Sequence, residues 1–198
     1  MVKLGLLFRK QEMTRLWVDE KLMPVTLLRL VPQQIIRKKT KDSDGYSALV
    51  VGAEKKELDK EKGIKEKYSH ICEYKVDEED LDSYQVGDFL DLSVLEDIQS
   101  VNIYGVSKGK GFQGAIKRHG FSRGPETHGS HFHRSPGSVG GMKPRRVIKG
   151  KKLPGRMGRD SIKLKNVPLV DKIALDEESL VAVKGSVPGA YNDLVKAK

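Results

Sequence analysis

At 198 residues, with a formal charge of +10 and an apolar fraction of only 37%, the chain has room for one domain with a large insertion or for two small ones, and its apolar content falls below the roughly 45–50% usual in globular proteins. A single cysteine, Cys72, excludes an intrachain disulfide and a cysteine-based zinc site. No run approaches the ~20 apolar residues of a membrane span, and Lys3, Arg9, Lys10, Glu12 and Arg15 interrupt Met1–Trp17, so a signal peptide is not expected and a reducing, cytoplasmic setting without membrane contact is.

Taken in chain order, the flanks of the molecule read as strands. Pro24–Val31 is a near-continuous apolar run bounded by Pro24 and Pro32, long enough for a buried strand. Asp44-Gly45 signals a turn, and Tyr46–Val51 after it is rich in strand formers. Glu54–Tyr68 is dense in both charge signs and interrupted by Gly63; it reads as an exposed excursion. Asp77–Ser83 predicts a helical turn. Val86-Gly87-Asp88 predicts another turn, and Leu90, Leu92 and Val94 then alternate with Asp91 and Ser93 as a half-buried strand would. Val101 and Ile103 continue the alternation. Beyond the central stretch, Ile162–Lys165 alternates again, and Ile173–Leu175 and Leu180–Val183 flank Asp176–Ser179 as a hairpin. Short strands at this spacing predict a mainly β fold, a small closed or nearly closed barrel, formed by residues 1–104 and 161–198.

Residues 105–160 differ in kind. They hold the cations Lys108, Lys110, Lys117, Arg118, Arg123, Arg134, Lys143, Arg145, Arg146, Lys149, Lys151, Lys152, Arg156 and Arg159 against two acids, Glu126 and Asp160. The stretch therefore carries +12, and everything outside it sums to −2. Thirteen of the twenty glycines and four of the five histidines also fall here. Such a segment repels itself and has little apolar surface to bury, so a polyanion must hold it, and RNA fits that role. Strand patterns on both sides make it an arm inserted into one domain. Each of its two limbs reaches at most roughly 90 Å when fully extended.

The motifs within the arm have competing readings. Ser107–Phe112 lacks the spacing and the hydroxyl of a nucleotide-binding loop, whereas glycines between lysines let backbone amides approach phosphate. His128, His131 and His133 sit at metal-ligand density, yet only Glu126 stands near them as a carboxylate and the surroundings are cationic; no metal site is assigned, and imidazoles contacting phosphate, 2′-hydroxyls or unpaired bases are preferred. Neither Ser130 nor Ser138 has a nucleophile elbow or a third group to orient a histidine base, so no catalytic residue is assigned. Arg145–Lys152 resembles a nuclear-localisation patch, but a run almost free of acids favours nucleic acid. Phe112, Phe121 and Phe132 are either stacking groups for bases or local anchors within the arm.

Read together, Ser107–Gly114, Lys117-Arg118, His119-Gly120-Phe121, Thr127–Ser130, His133-Arg134, Pro136–Gly140, Val147–Lys152 and Gly155–Gly158 resemble the arm of the universal large-ribosomal-subunit protein number three, bacterial type. Met13-Thr14-Arg15 and Val183–Ala190 extend the resemblance to both ends of the chain. It implies a translation-protein-type β-barrel and an arm that threads through large-subunit ribosomal RNA. The tip (Ser138, Val139, Gly140, Gly141 and Met142) would then lie close to the peptidyl transferase centre. It further implies a role in early subunit assembly beside ribosomal proteins number fourteen and nineteen, with no cofactor and no small-molecule substrate. Three departures stand out. Glu12 replaces a glycine before Met13, Phe8-Arg9-Lys10 replaces a glycine-lysine-lysine opening, and Gly141–Arg146 is one residue shorter than usual, with Arg145 where glycine follows the proline. No glutamine stands at the tip, so the methylated glutamine of some members is not carried over. The alternative function is a free-standing RNA chaperone or translation factor of the same barrel class; such a factor would be expected to carry a second domain or a nucleotide site.

Overall fold

The computed structural model describes residues 4–56, 67–96, 98–174 and 179–198. Its elements run β1 (Leu6–Val18), β2 (Lys21–Leu30), β3 (Gln33–Lys39), α1 (Lys41–Asp44), β4 (Ala48–Lys56), β5 (Lys67–Lys75), α2 (Glu78–Leu81), β6 (Ser100–Val106), β7 (Gly111–Gln113), α3 (Ala115–His119), β8 (Gly155–Met157), β9 (Ser161–Ala174), β10 (Ser179–Lys184) and β11 (Leu194–Ala197). They fall into two compact units, one made of the chain up to Val106 together with Ser161–Lys198, the other of Ser107–Asp160.

In the first unit, six strands close an antiparallel barrel in the order β1-β11-β6-β9-β10-β2. The expected period of two appears in β6, where Val101 and Ile103 are buried and Asn102 and Tyr104 are half-buried. The antiparallel β9–β10 pair, with Ala174 opposite Ser179, matches the hairpin; its turn lies outside the described residues. The strand expected over Pro24–Val31 is β2.

Three features differ from the sequence reading. Leu90–Val94 does not form a strand: after a single bridge between Gln34 and Phe89, the chain enters a 3-10 turn over Leu92–Leu95. Val94, Glu96 and Ile98 donate their N–H groups to Asp91, Ser93 and Leu95, so local three-residue bonds satisfy the backbone in place of a sheet partner. Leu90 still enters the core, and Leu92 and Val94 pack half-buried against it while Asp91 and Ser93 are exposed, which is why the alternation looked like a strand. Secondly, β1 runs straight through the charges that break up the N-terminal sequence, with Leu6, Leu7 and Phe8 buried before Arg9. Thirdly, β3, β4 and β5 form a separate antiparallel sheet. It takes up both ends of the charged excursion over 54–68, whose middle lies outside the described residues. Glu54 ends in an ion pair with Arg9 at 2.6 Å.

One hydrophobic cluster joins barrel and sheet, with Phe8, Leu28, Ile103 and Val181 from the strands of the barrel and Ile35, Leu49, Val51 and Tyr74 from the sheet. Each such side chain contributes roughly 1.5–3 kcal/mol relative to exposure. Gln33 is buried beside Leu7, where its amide extends the β1–β2 ladder: the Leu7 N–H donates to its Oε1 at 3.2 Å, and its Nε2, at 3.5 Å, joins the Val31 N–H, at 3.1 Å, in donating to the Leu7 carbonyl. The Tyr74 hydroxyl is buried without a hydrogen-bond partner among the described residues, and burial pushes its pKa up. The Lys196 ammonium caps the same ring at 4.0 Å, an attraction that offsets part of the desolvation lowering its own pKa.

Amides of β6 and β10, paired on both sides within this core, are expected to exchange hydrogen only through global opening in the RNA-free protein. Those of residues 121–154, where no strand or helix forms, are expected to exchange orders of magnitude faster. Exchange read by mass spectrometry checks this, and slow exchange throughout 121–154 would contradict it.

Candidate nucleic-acid interface

The arm begins where β6 ends. Gly105 and Val106 pair with Ile162 and Ser161 as part of the barrel, so the second unit starts at Ser107, two residues later than the sequence reading set the boundary. Its limbs continue as an antiparallel pair. The Ser107 N–H donates to the Asp160 carbonyl at 2.9 Å, the Arg159 N–H to the Ser107 carbonyl at 3.2 Å, and the Lys110 N–H to the Met157 carbonyl at 3.0 Å. The Ser107 hydroxyl accepts from the Asp160 N–H at 3.0 Å. The β7–β8 ribbon follows, with Phe112 opposite Arg156.

Two glycines let these limbs approach. Gly158 has φ +79, and a Cβ there would meet the Lys108 carbonyl oxygen at 2.2 Å and the Gly109 Cα at 2.9 Å. Only glycine fits such a left-handed, backbone-to-backbone contact. At Gly155 a Cβ would meet the Arg118 guanidinium at 2.3 Å. That guanidinium comes from α3 and donates to the Leu153 carbonyl at 2.8 Å, and the His119 ring nitrogen lies 3.0 Å from the same oxygen. One face of the ribbon is thereby packed against α3. Sequence reasoning gave Arg118 to RNA and passed over Gly155 and Gly158, because spacing alone does not separate a glycine that braces a ribbon from one in an open turn.

The cationic side chains are, with one exception, open to solvent. Lys108, Lys110, Lys117, Arg123, Arg134, Lys143, Arg145, Arg146, Lys149, Lys151, Lys152 and Arg156 are exposed, and Arg118 is half-buried. Among the described residues, the one carboxylate paired to them is Glu126, on Arg123. Charges of one sign kept apart from acids gain nothing within the protein, so their placement makes sense against an external anion. The histidines divide. His128 and His131 are exposed, whereas His133 is half-buried and its Nδ1 lies 2.9 Å from the Pro125 carbonyl. Among the described residues, no three His, Cys, Asp or Glu side chains are grouped as metal ligands. At the tip, Ser138, Val139, Gly140, Gly141 and Met142 are all exposed, Met142 to 86%, and the Ser138 hydroxyl donates to the Gly140 carbonyl at 3.1 Å.

A closed barrel whose adjacent strands carry a glycine-braced, acid-poor arm defines a class of mainly β proteins with a basic insertion. Residues 34–167 match the family model for ribosomal protein L3. The chain is 44% identical over 200 residues to the large ribosomal subunit protein uL3 of Oceanobacillus iheyensis, covering 97% of this chain and 95% of that one. It is 42% identical over 202 residues to the protein of the same name from Bacillus cytotoxicus, covering 96% and 94%. The chain belongs to the ribosomal protein L3 family. It is accordingly a structural constituent of the large ribosomal subunit, a component of the cytoplasmic ribosome and not an enzyme.

Proposed function

We propose that residues 105–160 act as an RNA-binding arm inserted into the barrel formed by residues 1–104 and 161–198, and that this arm threads into large-subunit ribosomal RNA. Its cations neutralise phosphates, and its tip, Ser138–Met142, lies close to the peptidyl transferase centre. The protein supports early subunit assembly, beside ribosomal proteins number fourteen and nineteen. The observation that carries this reading is the exposed cationic array on a braced, two-limbed stem with, among the described residues, a single paired carboxylate. The likeness of the arm sequence to its family supports the position of the tip and the two neighbours.

If about ten arm cations contact phosphate, log K for ribosomal RNA is expected to fall against log salt with a slope of roughly −7 to −9. A slope near −2 would mean that most of these charges stay solvated. Co-sedimentation with large subunits through a high-salt sucrose gradient separates a resident component from a cycling chaperone, which the salt would strip off.

A further inference from the structure

The three arm phenylalanines are not equivalent in the structure. Phe121 is half-buried, with its ring centroid 6.1 Å from that of His119. Phe132 is 42% exposed, and both its N–H and its carbonyl bond to the Ser130 hydroxyl in a local turn. Phe112 is 76% exposed, although it stands in the middle of a paired strand. Residues directly opposite across a ladder share a face, so Phe112 and its partner Arg156 project together. The neighbouring pairs, Gly111 with Met157 and Gln113 with Gly155, lie on the other face, where Gly155 packs against Arg118. The ribbon thus has one face held by α3 and one face offering a phenyl ring beside an exposed guanidinium, with exposed Lys110 close in sequence.

We propose that Phe112 and Arg156 form a stacking platform for a single unpaired base of RNA, with the Phe112 ring against the base face and the Arg156 guanidinium on the adjoining phosphate or a second base. This rests on the RNA-binding reading above and assigns a base-contacting site to an arm otherwise described by phosphate contacts alone. A large apolar ring left in water on a rigid support is stabilised by covering it. Every base has a π-face, while the cations around the ring disfavour an ordinary protein partner and attract the phosphodiester that carries the base. Phe121 and Phe132 are instead anchors of the arm's own turns.

The test uses the full-length protein with two probes. One is a single-stranded RNA containing 2-aminopurine, and the other is inorganic polyphosphate of matched charge. Phe112→Ala is expected to bind the RNA about five- to hundredfold more weakly, with its salt slope and its polyphosphate affinity unchanged. Phe112→Trp should retain RNA affinity, and wild-type binding should quench 2-aminopurine emission. Phe121→Ala serves as the comparison and should change quenching little. Equal RNA affinity for wild type and Phe112→Ala, at a steep salt slope in both, overturns the platform and leaves the phosphate-binding arm standing. A shallow slope in the wild type overturns the arm reading and the platform with it. Equal losses on RNA and on polyphosphate overturn the platform by showing that the substitution acts through the ribbon's fold.

Discussion

Replacing Lys108, Lys110, Lys117, Lys149, Lys151 and Lys152 together by glutamine is expected to weaken ribosomal RNA binding about a thousandfold and to keep the protein out of large subunits. Each exposed contact contributes roughly 0.2–1 kcal/mol, and six lost together amount to about 4 kcal/mol, a factor of roughly a thousand. All six side chains are exposed, so the fold should survive. Arg118 is left in place because its guanidinium holds Leu153. The tip should behave in the opposite way. Gly140 is exposed with open space where a Cβ would stand, so Gly140→Trp is expected to fold and to enter subunits at wild-type occupancy. There its bulk should alter the rate of peptidyl transfer. Subunit occupancy by mass spectrometry, set beside single-turnover peptide-bond formation for both variants, decides the matter. Tip variants that stay out of subunits while the stem variant enters would overturn the division of labour.

Gly158→Val should have the largest effect of any single substitution within the arm. The new side chain would have to occupy the place of the Lys108 carbonyl, and a β-branched residue would have to adopt φ +79. Overpacking against backbone costs about 1–3 kcal/mol and the left-handed conformation about 1–2 more. Together these exceed what three paired residues on each limb supply, so the β7–β8 ribbon is expected to open. The Lys110 amide, which is bonded to Met157, should then exchange roughly a hundredfold faster or more. Amides of β6 and β10 should be unaffected, because they belong to the other unit. RNA affinity should fall although no charge has been removed, since cations on an unsupported loop must be ordered at the moment of binding. Unchanged exchange at Lys110 would show that the limbs do not depend on this contact.

How far the sequence could be read depended on whether the deciding interaction was local. Alternation in β6, the presence of a strand at the start of β9, the turn at Asp44-Gly45 and the helical turn after Asp77 all follow from side chains adjacent in the chain, and all were readable. β1 was not, because its burial is settled by long-range partners: Leu6 and Leu7 face β11 at Ala197 and Lys196, and the charges beyond them lie on a hairpin with β2. The Leu90–Val94 pattern misled for the opposite reason, since period-two burial was satisfied by Leu90 near β3 and by Leu92 and Val94 in a 3-10 turn, with no neighbouring strand. In the arm, composition and charge identified the segment and its cations. They did not distinguish Phe112 from Phe121 and Phe132, nor Gly158 from the glycines of open turns, because those distinctions arise only when the two limbs are brought side by side.

Val106 and Ser161 are direct partners in the β6–β9 ladder, and this has a consequence for how the molecule can change over generations. The 54 residues between them are, as far as the barrel is concerned, a single hairpin loop. Exchanging them for a turn of about four residues would alter the closure entropy by only roughly 2 kcal/mol, in the barrel's favour. Lengthening, shortening or resurfacing the inserted segment is therefore nearly neutral for the stability of the domain that carries it. Selection can fit one part to its nucleic-acid surroundings while the other keeps its packing, and a single gene holds two parts free to drift at different speeds.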